Sequence, residues 1–282
     1  MSWFVLTLLS VVIASIATLL QRVLMKGDKS NPYSYAVVFH VLLGCLTLAI
    51  GLAQGSDLSL FSGNVSVLLL AGALWGICQV FLFKALQLVE ASELTIVSGL
   101  RIVVTILASI VFLGQVFTGW NVLGTILILA ATFLVVNLGK GFAINKGLLY
   151  TLVMTFFAGL AIVADSANVQ QYDVFTYSAY SNFLSALFIF AFYPKSLRQW
   201  KHFVQPGFLV KMLPLAVFSA TQGVLYLMAL TYGGNTAQVG TIRQASVIVT
   251  VLLAIIFLNE RGNLGRKLLA AVLVTAGVFL LS

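Results

Sequence analysis

The chain has 282 residues, 61% of them hydrophobic and only 8% charged, with a formal net charge of +8. An average soluble chain carries roughly 25% charged residues, and a folded body of this size cannot cover its water-facing surface with so few. The composition excludes a soluble globule and places the chain in lipid, where about 20 apolar residues per spanning helix leave room for about ten spans.

Apolar runs between polar or Gly/Pro breaks predict ten membrane-spanning helices, segments 1 to 10, over 2–24, 33–54, 65–88, 91–113, 119–138, 147–168, 175–193, 207–230, 236–258 and 264–281. Segment 1 starts at Trp3 with no basic stretch before it and no small-residue cleavage pattern after it. It therefore reads as a retained helix and not a signal peptide. It carries Thr7, Ser10, Ala14, Thr18 and Gln21. Segment 2 holds His40, whose imidazole suits a proton carrier, but this segment is expected to stand away from any cavity. Cys45 and Cys78 lie in apolar runs and read as packing thiols, not a disulfide. In segment 3, Gly72 and Gly76 form a small-xxx-small pair for close packing, Trp75 reads as an interface or packing aromatic, and Gln79 is a polar group at membrane depth.

Segment 4 carries Thr95, Ser98, Arg101, Thr105 and Ser109, at spacings of three and four that hold one helix face. Segment 9 offers Thr236, Gly240, Arg243, Ser246 and Thr250 at the same rhythm. An arginine at mid-helix costs about 2.5–3.5 kcal/mol on insertion scales, so Arg101 and Arg243 should face protein or water. Segment 6 adds Thr151, Ala158 and Asp165, and segment 8 adds Gln222 and Tyr226. Segments 5 and 10 are apolar nearly all round and read as peripheral. Their lipid faces permit a homodimer without requiring one, so monomer and homodimer both stay open. The connections are too short for a soluble domain, so function must be built from helix faces and ends.

The chain repeats itself. At a shift of 144, Thr7-Leu8 meets Thr151-Leu152, Tyr33-Ser34 meets Tyr177-Ser178, Phe39 meets Phe183, and Ala85-Leu86 meets Ala229-Leu230. At a shift of 145, Val104-Thr105 meets Val249-Thr250 and Phe112-Leu113 meets Phe257-Leu258. Two five-helix repeats follow, over 1–140 and 141–282. Five is odd, so the second repeat enters the membrane upside down. The expected fold is an all-α integral membrane protein of ten transmembrane helices in two inverted five-helix repeats. That is an architecture of secondary carriers, with a site near mid-membrane between the halves.

The runs Lys84-Ala-Leu to Phe112-Leu-Gly-Gln115 and Met228-Ala-Leu to Phe257-Leu-Asn-Glu260, with Arg243-Gln-Ala-Ser-Val247, resemble the drug/metabolite transporter superfamily and within it the EamA-like ten-helix carriers. The resemblance covers essentially the whole chain and implies a carrier whose helices 1, 3, 4, 6, 8 and 9 line the cavity. Gln115 stands where the family usually has Glu, leaving only Glu260 for any role of that carboxylate. Small multidrug relatives bind cations and protons on a first-helix Glu. Segment 1 has none, which argues against cationic-drug antiport.

If side A is where segment 1 begins and side B where it ends, connections on B contain or adjoin 13 Lys and Arg and those on A contain none. The positive-inside rule then puts side B in the cytoplasm and both termini outside, against the family habit. The basic charge is thus a topology signal, and nucleic acid is not an expected partner. No HExxH, paired mid-membrane Asp, Ser–His nucleophile or phosphate loop occurs, so neither enzyme chemistry, a metal, a cofactor nor direct use of ATP is expected. Coupling to a proton or another ion is left open.

The expected function is a secondary transporter in the bacterial cytoplasmic (inner) membrane that exports a small polar metabolite by alternating access. Two arginines and few acids favour an amino acid, an organic acid or a phosphorylated solute. Candidate site residues are Arg101, Arg243, Gln79, Ser98, Thr105, Gln222, Tyr226, Thr18, Gln21 and Asp165. Arg243 could instead pair with Asp165, Arg101 could bond neighbouring helices, and Gln79 and Gln222 could be packing glue. A neutral or cationic cargo, or a non-transporting subunit, would follow from those readings.

Overall fold

A computed structural model describes residues 2–25, 31–59, 63–113, 119–135, 145–203, 205–232, 239, 242–243, 246–259 and 262–281. Among them every regular element is helical. Segments 1 to 3 are Trp3–Met25, Pro32–Gln54 and Val65–Leu88. Segment 4 is Ala91–Val97, a 3-10 turn at Ser98–Leu100, and Arg101–Leu113. Segments 5 to 8 are Gly119–Val135, Lys146–Asn168, Val174–Phe192 and Pro206–Thr231. Segment 9 is described at 239, 242–243 and Ser246–Phe257, and segment 10 is Leu264–Leu281. Segments 1 to 4 and 6 to 8 are each long and apolar enough to cross a membrane; Val122–Ala131 and Ser246–Phe257 are shorter apolar helices.

Local chemistry fixes where these helices start. The side chains of Asn31, Asn64, Asn145 and Asp173 accept hydrogen bonds from backbone N–H groups of the following turn, capping donors that would otherwise be orphaned. Pro32 sits just inside segment 2, where its missing N–H costs nothing. Segment 2 ends on Gly55 at φ 74°, the left-handed cap that glycine adopts without strain.

The repeats interlock, and their contacts obey the pseudo-twofold. Segment 3 packs on segment 6 and segment 8 on segment 1. Segment 4 meets segment 6 and segment 9 meets segment 1, while 2 with 7 and 5 with 10 form the self-matching pairs. Segment 3 approaches segment 7 through the expected glycines: a Cβ at Gly72 would lie 2.6 Å from Leu184 Cβ, and one at Gly76 3.0 Å from the Ser185 carbonyl. Ser185 Oγ donates to the Gly72 carbonyl at 2.9 Å, closing that seam. Segments 5 and 10 pair with each other, and an apolar cluster of Ile96, Ile128, Val247, Val251, Ala270 and Val274 ties them to the backs of segments 4 and 9. The chain is an all-α membrane protein of two inverted repeats, as expected. Cys45 and Cys78 are both free thiols.

Two further apolar clusters pack toward the two ends of the interior. Leu6, Leu68, Tyr172, Tyr177, Leu230 and Val239 gather at the side-A ends of their helices. Met25, Phe83, Leu86, Leu94, Met212 and Leu215 pack in the side-B half. Between them lies the polar interior. At side B an ion pair joins Lys267 of segment 10 to Glu90, in the turn before segment 4.

Candidate functional site

A cavity of about 270 Å³ lies between the repeats, near the lower end of the ~300–1,000 Å³ range of ligand pockets. Every residue lining it is buried or half-buried. Nine of the ten predicted site residues reach it. Segment 1 brings Thr18 and Gln21, segment 3 Gln79, segment 4 Ser98 and Arg101, segment 6 Asp165, segment 8 Gln222 and Tyr226, and segment 9 Arg243.

Segment 4 places Arg101 by breaking its own helix. Thr95 Oγ1 donates to the Ala91 carbonyl at 2.7 Å and Ser98 Oγ to the Thr95 carbonyl at 2.8 Å. Such hydroxyl back-bonding bends helices, and with Gly99 it gives the 3-10 turn after which Arg101 opens a fresh helix. The Arg101 side chain is half-buried on the cavity wall, and among the described residues no hydrogen bond reaches its guanidinium. The side-chain amides of Gln21 and Gln79 are likewise unbonded among the described residues, at 8% exposure each. These are polar groups held in place by their helices and offered to the cavity.

Arg243 is partly occupied. Its Nη2 donates to Gln222 Oε1 at 2.8 Å, and its guanidinium carbon stands 4.1 Å from the centroid of the Tyr226 ring. A guanidinium has five N–H donors, so this clamp orients Arg243 without exhausting it. The alternative of an Arg243–Asp165 ion pair is not realised among the described residues. Asp165 Oδ2 instead accepts from Trp75 Nε1 at 2.9 Å and Oδ1 from the Tyr177 hydroxyl at 2.8 Å. Two neutral donors hold the carboxylate, with no cation in direct contact among the described residues.

Thr105 departs from the expected set. Its Oγ1 donates to the Arg101 carbonyl at 3.0 Å and the Gly159 carbonyl at 3.2 Å, so it bonds segment 4 to segment 6 and does not line the cavity. The face that begins at Thr95 leaves the cavity beyond Arg101, where segment 4 packs against segment 6. Segment 2 was expected to stand apart, yet Phe39, His40 and Leu43 line the cavity because segment 2 packs against segment 7 at the repeat interface. Trp75, read as a packing aromatic, lines it as well. Ser109 (side chain), Thr236, Gly240, Gln115 and Glu260 lie outside the described residues.

The sequence reading missed segment 7. Ser178, Ser181, Asn182 and Ser185 form a polar stripe on the cavity wall with the same three-and-four spacing used to find segments 4 and 9. Asn182 Nδ2 donates to the Ser178 carbonyl at 2.7 Å, which turns its Oδ1 toward His40 Nδ1 at 2.8 Å. Among the described residues no three His, Cys, Asp or Glu side chains gather as a metal site.

Comparisons with known proteins agree with this architecture. The sequence profile described as the EamA-like transporter family matches residues 1–137 and again 145–282. A solved crystal structure superposes with a TM-score of 0.67 over 99% of this chain and 95% of its own, at 17% identity, which is a likeness of fold. No curated protein matches the chain.

Proposed function

The chain belongs to the EamA-like transporter family and is a membrane transporter, and we propose that it carries a small metabolite bearing a carboxylate or phosphate: an amino acid, an organic acid or a phosphorylated solute. The observation that carries this reading is the Arg101 guanidinium, half-buried on the cavity wall with no hydrogen-bond partner among the described residues. Drawing such a cation out of water without an acceptor is costly. An anionic solute supplies the missing acceptors through charge-assisted, bidentate bonds. Arg243 adds unused donors, while Gln21 and Gln79 supply neutral polar contacts. Asp165 is the acid in this wall, so a solute with an ammonium as well as a carboxylate also finds a partner.

The two repeats rock about this site, exposing it to each side in turn. Support comes from the contacts that cross between repeats in matching pairs and from the 3-10 turn inside segment 4; mid-helix 3-10 stretches often mark hinges. Affinity must differ little between inward and outward states, or the carrier would stall in one. The direction is export across the bacterial cytoplasmic membrane, driven by a proton or ion gradient, with side B in the cytoplasm and both termini outside. The Lys/Arg bias supports that orientation, and a reporter fused after Ser282 that is active only in the cytoplasm overturns it.

The test of cargo is the thermal stability of the purified protein against amino acids, organic acids, sugar phosphates, nucleotide-sugars and quaternary amines. Binding to the native state raises stability by RT ln(1 + [L]/Kd), roughly 2.7 kcal/mol at a hundredfold excess. A shift by carboxylates or phosphates that is lost in Arg101→Gln is the expected result. A shift only by amines or neutral solutes overturns the anion reading and leaves both arginines as structure.

A further inference from the structure

A second hollow, separate from the central cavity, lies on the outer face of the bundle between segments 3 and 7. Its volume is about 180 Å³, and apolar side chains such as Ala73, Ile77, Phe188 and Phe192 line it. Phe192 is 77% exposed, so the groove opens where lipid surrounds the protein. At its side-B end two lining residues, Tyr33 and Phe81, do something else: they hold a cation. Lys84 Nζ donates to the Tyr33 hydroxyl at 2.8 Å and stands 4.4, 5.0 and 5.5 Å from the ring centroids of Tyr33, Phe81 and Tyr150. Tyr33 in turn stacks on Tyr193 at 4.4 Å between centroids. The rings fix the ammonium without neutralising it, and among the described residues no carboxylate pairs with it.

The dimensions select the occupant. From Ala73 to Lys84 is eleven residues of helix, about 16 Å at roughly 1.5 Å per residue. That is about half of a ~30 Å hydrocarbon core, the depth of one leaflet. An apolar groove one leaflet deep, ending on an unneutralised ammonium at the interface, matches an amphiphile with an anionic head. We propose that the groove holds an acyl chain of an anionic phospholipid from the side-B leaflet, with its phosphodiester on Lys84. A choline head has no place here, because the three rings already surround a cation.

The experiment compares dioleoylphosphatidylglycerol, dioleoylphosphatidylcholine and inorganic phosphate added to the purified, delipidated protein in detergent, read by apparent Tm and native mass spectrometry. Phosphatidylglycerol should raise Tm by about 3 °C or more above phosphatidylcholine and leave one retained lipid adduct, while inorganic phosphate does neither. Lys84→Met should abolish the difference and Lys84→Arg should keep it. Ala73→Phe, which fills the groove without touching Lys84, should also abolish it. Equal shifts by the two lipids, or a difference that survives Lys84→Met, overturn the proposal. A shift by inorganic phosphate alone replaces the lipid by a free anion. Full retention in Ala73→Phe removes the acyl chain from the groove. If Lys84→Met yields no folded protein, the lipid comparison on the native chain and on Ala73→Phe still decides.

Discussion

A shift of 144 residues pairs Gln21 with Asp165 and Leu82 with Tyr226, and a shift of 145 pairs Ser98 with Arg243 and Arg101 with Ser246. All eight line the same cavity. The backbones of the two repeats make matching contacts, but the second repeat puts an acid, an aromatic ring and an arginine where the first has an amide, an aliphatic chain and a hydroxyl. The arginines themselves are one helical turn out of register. On the proposed function, symmetry is kept where the halves would exchange roles and dropped where the cargo would be read. A carrier needs two equivalent ways for its halves to pack, whereas a small solute has no twofold axis and gains from unlike groups around it.

The largest effect should come from attacking the symmetric layer. Where segment 6 crosses segment 4, a Cβ at Gly159 would lie 2.9 Å from the Arg101 carbonyl and 2.7 Å from Val104 Cβ. At the matching crossing, Ser15 has room for a hydroxyl that reaches the Ser246 carbonyl at 3.4 Å. Gly159→Val forces backbone apart, which costs 1–3 kcal/mol or more by the usual scale of overpacking. The expected outcome is little monodisperse protein on size exclusion, whereas Ser15→Gly leaves a folded protein. Equal behaviour of the two variants breaks the claim that the crossings differ in clearance.

Arg101→Gln comes next, and it attacks the asymmetric layer. It should weaken binding of the proposed anionic cargo about 100-fold, the scale of losing a charge-assisted bond of roughly 2–3 kcal/mol. Unliganded thermal stability should hold or rise, because the variant removes a half-buried charge that no hydrogen bond among the described residues compensates. Calorimetry and a melting curve on the same sample check both halves. A fall in stability with unchanged affinity makes Arg101 a structural residue.

Arg243→Gln should lose only about tenfold in affinity, since part of its hydrogen-bonding capacity already goes to Gln222. Unlike Arg101→Gln, it should lower unliganded stability by about 1 kcal/mol, because Gln222 Oε1 loses its donor and the Tyr226 ring its cation. Identical profiles for the two arginine variants would erase the distinction between a free and a clamped guanidinium.

The fold was legible because it is written in long apolar runs and in a fixed repeat shift, both of which survive any detail of packing. The cavity was legible where a charge at membrane depth announced it, as at Arg101, Arg243 and Asp165. It was less legible where the signal was neutral. The Ser178–Ser185 stripe obeys the spacing already applied to segment 4, but serine is also common glue between membrane helices. Nothing local in the sequence says that segment 7, rather than segment 5, faces inward. His40 and Trp75 became wall residues through the pairing of segments 2 with 7 and 3 with 6, which is tertiary information. The partner of Arg243 was left open for the same reason: depth put Asp165 within reach, but Trp75 and Tyr177 hold its carboxylate.

Thr105→Val is the smallest effect and tests where the two layers meet. Thr105 shares its stripe with Ser98 and Arg101, yet its hydroxyl goes to the Arg101 and Gly159 carbonyls, on the segment 4 to segment 6 crossing. Valine keeps the shape and removes the donor, so the cost is that of ordinary hydrogen bonds, about 0.5–1.5 kcal/mol of stability. Because the side chain faces the crossing and not the cavity, cargo affinity should stay within about twofold. A larger loss of affinity with stability intact would return Thr105 to the binding wall. The matching residue, Thr250, does line the cavity, so Thr250→Val should show the opposite balance, an affinity change outweighing the stability change.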